Sequence, residues 1–339
     1  MSKINKMKKT IKYFMFFILA NIIIGCTYSI PMVYYGPMVN IKEMLVTTAM
    51  STFRHQYIVK WFLSDQEIAE IMARNKVNDT GRSRVDDIQV MSSDTQESKE
   101  HSLDGIEKID INEDGMKGKL LIIKDSKRVF LGITQNLGSY GEKLDDMCQR
   151  YGAVAGINAG GFEDENGQGN GGTPTGIVVK DGEIKFKPQE SSIGSTYKEG
   201  DAISIIGFNS KGILILGQYT IDELKAMDIK DAVSFSPFFI LNGKGTIKSG
   251  NGGGGIHPRT VIGQRKDGAV MFLVLDGRQL STLGATYRQE QDVMLKYGAY
   301  NAANLDGGSS TTMFYNNSII NNPSSNDGVR FISTAFLVK

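Results

Sequence analysis

Apolar and polar positions alternate in two different ways along this chain. Near the N-terminus, residues 13–41 carry no charge and include Phe14-Met15-Phe16-Phe17-Ile18-Leu19-Ala20 and Ile22-Ile23-Ile24. That run is longer than the about 20 residues a membrane-spanning helix needs. From Gly105 onward the apolar runs shorten to strand length and are separated by glycine and polar turns. Residues 119–123 and 128–133 predict paired strands, and a helix over 143–151 leads into a strand at 153–157. Residues 176–180 and 183–186 flank Asp181-Gly182, a hairpin signal. Residues 202–208 and 212–216 predict a second pair, followed by a helix at 220–227. A buried strand is expected at 269–275, and a helix at 285–297 stops at Gly298. Strands at 301–305, 312–315 and 331–338 complete the pattern. Many strands with few helices between them predict an α+β fold, a mixed twisted β-sheet with packed helices, preceded by an N-terminal membrane helix.

Charge gives the membrane segment a direction. Lys3, Lys6, Lys8, Lys9 and Lys12 precede the apolar run, which places the N-terminus in the cytoplasm and the rest of the chain outside. The division expected is a basic tail at 1–12, a transmembrane signal-anchor at 13–36, a helical stalk at 37–74, a flexible polar linker at 75–104 and one domain at 105–339. Two other readings of the start remain open, a cleaved signal peptide and a lipoprotein acylated at Cys26 within Ile23-Ile24-Gly25-Cys26. All three export the domain. Within the stalk, Ser64 followed by Glu67 is a helix-capping pattern. The segment reads equally well as a stalk at the membrane surface or as a helical prefix packed on the domain. Residues 75–104 are polar and lack apolar periodicity, which reads as a linker.

Composition excludes several classes. Lysine and arginine total 38 against 37 acidic residues, so no basic excess points to nucleic acid. Only Cys26 and Cys148 could form a disulfide, and they lie in different segments. Cys148 reads as a packing residue on the 143–151 helix. The three histidines, His55, His101 and His257, fit neither zinc spacing nor a convincing Ser/His/Asp triad.

Candidate chemistry is concentrated in four glycine-framed polar runs beside strand-like runs. They are Gly156-Ile157-Asn158-Ala159-Gly160-Gly161-Phe162, His257-Pro258-Arg259-Thr260, Leu275-Asp276-Gly277-Arg278 and Asn304-Leu305-Asp306-Gly307-Gly308-Ser309-Ser310. A polar residue at a strand end, followed by glycine, presents its side chain where a ligand can approach closely. Asp276 and Asp306 are two carboxylates so placed, the equipment of glycosidic cleavage, although Asp-Gly also simply caps tight turns. Arg259 and Arg278 offer forked donors to phosphate oxygens. Thr173 and Thr260 add hydroxyls. Ser309 as a nucleophile lacks an identifiable base. Asp164 and Asn166 sit in a loop with calcium-type oxygen ligands but without EF-hand spacing. That stretch, continued by Asn170-Gly171-Gly172, reads otherwise as a flap beside the site, and Asn251-Gly252-Gly253-Gly254-Gly255 as a lid hinge.

Together these runs resemble the phosphodiester glycosidase family, many of whose bacterial members are linked to exopolysaccharide. The resemblance spans residues 105–339. It implies hydrolysis of a sugar-1-phosphate diester in cell-envelope or exopolysaccharide glycans, with a glycan-binding assembly factor as the alternative. It further implies Asp306, Asp276 and Arg259 as catalytic residues. Asn158, Gly160, Gly161, Thr173, His257, Thr260, Arg278, Asn304, Gly307, Gly308, Ser309 and Ser310 are then expected to line the substrate. The implied partners are that substrate and, through the N-terminal helix, a membrane. No cofactor is required; a divalent cation such as calcium stays an open alternative.

Overall fold

The computed structural model describes residues 2–52, 55–90, 105–164, 169–187, 200–325 and 328–339. It divides into two compact units, Met1–Ala73 and Arg74–Lys339.

In the first unit, helix Ser2–Tyr34 contains a stretch, Asn5–Tyr34, long and apolar enough to cross a membrane. Three shorter helices follow, Val39–Met50, Tyr57–Lys60 and Asp65–Arg74. They bury Val46, Ala49, Val59, Leu63, Ile68 and Ile71 around Tyr34. The capping pattern forms as expected. The Ser64 amide donates to a Glu67 carboxylate oxygen at 2.9 Å, and the Glu67 amide donates to the Ser64 hydroxyl at 3.2 Å.

Among the described residues the second unit is built from three larger antiparallel sheets, a two-stranded one pairing Glu142–Lys143 with Phe331–Ile332, and packed helices, the α+β class the pattern predicts. The largest sheet runs in the order Ile106–Glu113, Met116–Ile123, Val270–Leu275, Arg259–Arg265, Ala299–Asn304, Phe238–Leu241, Lys244–Gly245. A second runs Glu183–Phe186, Val178–Lys180, Ile229–Ser234, Ile203–Asn209, Leu214–Tyr219. The third runs Ser318–Ile319, Met313–Tyr315, Ala155–Asn158, Thr334–Val338, Val129–Ile133.

Each sheet turns one face toward a shared core, where Leu121 and Ile123 of the first meet Ile206 and Phe208 of the second and Ile157 and Phe336 of the third. Side chains alternate across a strand, so Leu120 and Ile122 face the other way and pack with Val293 and Met294 of helix Tyr287–Lys296. Helix Leu144–Tyr151 covers the third sheet with Leu144, Met147 and Cys148. Helix Ile221–Ala226 covers the second with Leu224. Both faces of the strands are therefore apolar, which is why they read as continuous apolar runs rather than as alternating ones.

The polar segment after the helices corrects one expectation. Residues 75–90 are not a free linker. The Ser83 amide donates to Leu216 O at 2.7 Å, and the Leu216 amide returns a bond to the Ser83 hydroxyl at 2.8 Å. Arg82 pairs with Glu223 at 2.9 Å, and Val77 and Ile88 are buried. Strand Leu214–Tyr219 is the edge of its sheet, and this segment covers the open backbone groups there. Its polarity reflects that bonding rather than disorder. The remainder of the expected linker, from 91 to 104, lies outside the described residues.

Candidate active site

Sheet register brings the four polar runs together. In the largest sheet Arg259 pairs with Leu275, and Val261 pairs with Asn304. The start of one strand and the ends of its two neighbours thus share one edge. The third sheet joins them there: the Asp306 amide donates to Ala159 O at 2.9 Å, and Asn158 Nδ2 donates to Asp306 O at 2.6 Å.

Several expected ligand-binding residues act as the frame of this junction. Asn158 is buried, and its Oδ1 accepts from the Thr260 hydroxyl at 2.8 Å and from the Thr312 amide at 3.1 Å. Thr260 is likewise buried. Asn304 donates to Ser236 O at 3.2 Å. The Gly160 amide donates to the Thr334 hydroxyl at 3.0 Å, and Gly161 O accepts from the Thr175 amide at 3.0 Å. Thr173 donates to Gly138 O at 3.2 Å. Asp276 Oδ1 accepts from Asn321 Nδ2 at 3.2 Å and from the Asn322 amide at 2.9 Å. Burial pushes the Asp276 carboxyl up, and those bonds and the charge of Lys119 oppose it. Asp276 thereby ties the strand end to the 321–322 loop.

Asp306 occupies the centre. Burial pushes its carboxyl up to about 6. The Ser310 hydroxyl, the Arg330 charge and the Gly307 amide work against that rise, while the Asp164 charge adds to it. Gly308 follows with φ +62, a left-handed turn where glycine is favoured, and its amide donates to Pro258 O at 2.8 Å. Arg278 lies over this turn, its Nη2 only 3.2 Å from where a side chain on Gly308 would begin. Arg278 itself has φ 56, rare for a residue with a side chain. Among the described residues it has no carboxylate within ion-pair distance. Desolvation, and then the charge of Arg259, lowers its pKa.

Arg259 takes a different place from the one expected of a phosphate ligand. It is 4% exposed. Its Nη2 donates to Gly254 O and Gly255 O, both at 2.7 Å, and its Nε donates to Ala285 O at 3.1 Å. The guanidinium also lies 4.2 Å from the centre of the Tyr287 ring and 3.1 Å from Glu290 Oε1. It braces the wall of the site and does not line it. His257 is buried beside both arginines. Burial first, then the charges of Arg259 and Arg278, push it down to about 3, so its ring is neutral at ordinary pH.

Arg330 was not anticipated. Its Nη1 donates to Asp164 Oδ2 at 2.7 Å and to the Ser309 hydroxyl at 3.1 Å, and its Nη2 donates to Asp164 Oδ1 at 3.2 Å and Gly169 O at 3.0 Å. The signal available was an arginine opening strand Phe331–Ile332, much as Arg259 opens its own strand. Glu290 was missed too, although it falls on the face of its helix that buries Val293 and Met294, where a charged residue is out of place.

The arginine also bears on the calcium alternative. Both Asp164 oxygens are occupied by Arg330, and one also accepts from the Gly169 amide at 2.6 Å. Although burial would raise the Asp164 carboxyl, these bonds and the Arg330 charge hold it below its usual range. Asn166 lies outside the described residues. Among those described, no group of three or more His, Cys, Asp or Glu is placed to hold a metal.

The two glycine loops are held by close packing. A side chain on Gly171 would collide with Phe331 O, and one on Gly254 with the Tyr287 ring. The described parts, 169–172 and 251–255, are thus packed against their neighbours, while residues 165–168 of the expected flap lie outside the described residues.

A glycine-framed carboxylate thus lies where antiparallel sheets meet, with Arg330 acting on its charge and Arg278 over the following turn. The phosphodiester glycosidase family model matches residues 151–339, more than half of the chain, and the chain belongs to that family. The SPbeta prophage-derived uncharacterized protein YomE of Bacillus subtilis (strain 168) is 27% identical over 199 residues, which is 56% of this chain and 28% of that protein. The chain thus spans little more than a quarter of that curated relative. The solved catalytic domain of zebrafish N-acetylglucosamine-1-phosphodiester alpha-N-acetylglucosaminidase, auto-inhibited by its pro-peptide, superposes with a TM-score of 0.55 at 21% identity, covering 74% of this chain and 86% of that one. The two share a fold.

Proposed function

We propose that this chain is a membrane-tethered, extracytoplasmic phosphodiester glycosidase. It hydrolyses a sugar-1-phosphate diester of the cell envelope or of an exopolysaccharide, releasing the sugar and leaving a phosphomonoester. The observation that carries the reading is the arrangement around Gly307-Gly308, with a desolvated carboxylate on Asp306 and the unpaired guanidinium of Arg278 over the same turn. In this reading the ionised Asp306 stabilises positive charge developing at the sugar's anomeric carbon or directs water onto it. Arg278 neutralises the departing phosphate. A phosphomonoester leaves without a proton donor, which suits a site whose histidine is neutral and cannot supply one. Arg330, fixed by Asp164, adds positive field and orients Ser309. The lysines before the apolar helix support an outward-facing domain.

The test is sugar release by the full chain in detergent from a panel of sugar-1-phosphate diesters, beginning with N-acetylglucosamine as in the zebrafish enzyme's name. Run in 18O-water, the reaction should label the sugar hydroxyl. Label in the phosphate would instead mean phosphorus–oxygen cleavage. Binding without turnover across the panel would favour a glycan-binding assembly role.

A further inference from the structure

We propose that the aglycone of this substrate is a lipid chain, taken up beside the hairpin that carries Arg278. The inference rests on the reading of the site as one for a sugar-1-phosphate diester, and it names that substrate's class: the glycosyl phosphate ester of a long-chain alcohol.

Residues 276–284 turn back sharply on themselves. The Arg278 amide donates to Leu283 O at 3.1 Å, and Gln279 and Thr282 exchange backbone bonds of 3.0 and 3.2 Å. The hairpin is tied to the body of the site, because Gln279 Nε2 donates to Asn322 O at 2.8 Å and the Asn322 amide donates to Asp276. Its direction is therefore set. Arg278 reaches over Gly308, two residues along the chain from Asp306. Leu280 and Leu283 are held out in solvent, 111% and 70% exposed.

These leucines stand out against the rest of the unit. Among the described residues of Arg74–Lys339, five large hydrophobic side chains are exposed: Tyr140, Leu280, Leu283, Leu295 and Phe331. The two most exposed follow Arg278 on the same hairpin, and among the described residues that arginine has no carboxylate within ion-pair distance. A single exposed leucine needs no explanation. Two on a braced hairpin, next to an unpaired cation in the site, form an amphipathic pair of features that matches a phosphate joined to a hydrocarbon.

The chemistry gives the order of groups. A sugar-1-phosphate diester has two arms on phosphorus. With the anomeric carbon at Asp306 and the phosphate at Arg278, the second arm emerges along the hairpin. A glycan in that place is bound by hydrogen-bonding side chains or aromatic faces, and leucine supplies neither. A hydrocarbon chain needs only apolar surface. Apolar surface covered on both leucines supports a preference on the order of 10- to 100-fold. The chain also carries a helix long and apolar enough to cross a membrane, which suits an enzyme of lipid-linked glycans. In the reaction the bond from the anomeric carbon to the phosphate oxygen breaks, and that carbon gains a water oxygen. The phosphate leaves as the monoester of the lipid alcohol, and the water proton is released to it or to solvent.

The experiment uses the full chain in one fixed detergent, with the methyl and farnesyl esters of N-acetylglucosamine-1-phosphate as substrates. The expected result is a kcat/KM at least 10-fold higher for the farnesyl ester. In the L280S/L283S variant that advantage should vanish while the methyl ester is cleaved as before. Equal kcat/KM for the two esters in the wild type overturns the lipid assignment and leaves the glycosidase reading intact. So does a variant that loses both substrates equally, which would make the leucines supports for Arg278. If neither ester is cleaved and the wider sugar panel also fails, the glycosidase reading falls and this inference with it.

Discussion

Arg259 and Glu290 face each other inside the wall of the site, Nε to Oε1 at 3.1 Å, and both are almost wholly shielded from solvent. Burial pushes the Glu290 carboxyl up to about 8, with the charge of Arg259 pulling against it. The guanidinium spends its other donors on the carbonyls of Gly254, Gly255 and Ala285. A lysine offers a point charge and cannot span those acceptors. Arg259→Lys should therefore cost about 3 kcal/mol of stability, the scale of losing hydrogen bonds between a charged donor and buried carbonyls. Turnover should fall by the same factor for good and poor leaving groups. Thermal unfolding and a leaving-group series check this. A loss that shrinks as the leaving group improves would return Arg259 to the phosphate.

Asp306→Asn keeps the shape of the side chain and removes its charge. Loss of an interaction made mainly in the transition state should lower kcat on the order of 10²-fold or more. Stability should move the other way. The folded-state pKa of Asp306, about 6, lies above the usual carboxylate value of 3.8. The folded state therefore disfavours ionisation. The associated stability is present below the unfolded pKa and is lost as pH rises through about 6. The variant escapes that loss, so its Tm should exceed the wild type's at pH 8 and match it near pH 4. Wild-type activity should rise through pH 6 as the carboxylate ionises. A variant that is active, or that fails to fold, contradicts the assignment.

Arg278→Gln removes the unpaired cation. No described carboxylate is ion-paired with Arg278, so Tm should change little. The kcat/KM for phosphodiesters should drop about 10²- to 10³-fold, the scale of losing a charged transition-state contact. The drop should be larger for poorer leaving groups. An unfolded variant, or one with the wild type's leaving-group dependence, would assign Arg278 a structural role.

Arg330→Lys should break the forked contact to Asp164 and Gly169 while keeping the charge. The expected outcome is a fall in kcat of about 10-fold with KM little changed, because the substrate's phosphate is held elsewhere. Asp164→Asn should resemble it, and the double variant should be no worse than either single one. Additive losses in that double-mutant cycle would separate the two residues.

Protease added to intact cells should digest the domain and leave a small membrane-embedded stub. Full protection until lysis would contradict the outward topology. Cys26→Ser separates the anchors: a helix anchor holds without it, whereas a lipoprotein is released or left unprocessed.

Local chemistry carried much of this molecule. The capping pair Ser64 and Glu67 and the Asp181-Gly182 hairpin depend on neighbours a few residues away, and each appears where the pattern predicts. The strands at 119–123 and 128–133 form but do not pair with each other as expected, because distant strands Val270–Leu275 and Thr334–Val338 take them into different sheets. The Asn304-to-Ser310 run could be recognised because its glycines serve a turn that is local too. Residues 75–90 could not be read this way. Their polar side chains bond to strand Leu214–Tyr219, more than a hundred residues on.

The sequence by itself determined the fold class, the span-length apolar helix, and that the polar runs would lie at strand ends. Only the tertiary structure decided the part each polar residue plays. Arg259 and Arg278 look equivalent in the sequence, each beside an apolar strand. Arg259 turns inward because Glu290 and the carbonyls of Gly254, Gly255 and Ala285 surround it. Arg278 stays unpaired because it sits in a left-handed turn on a hairpin that holds it over Gly308. Arg330 reaches Ser309 because the last strands return beside the first ones of the third sheet. Such roles come from which partners arrive from distant parts of the chain. Burial, hydrogen bonding and charge then act between residues that no local spacing relates.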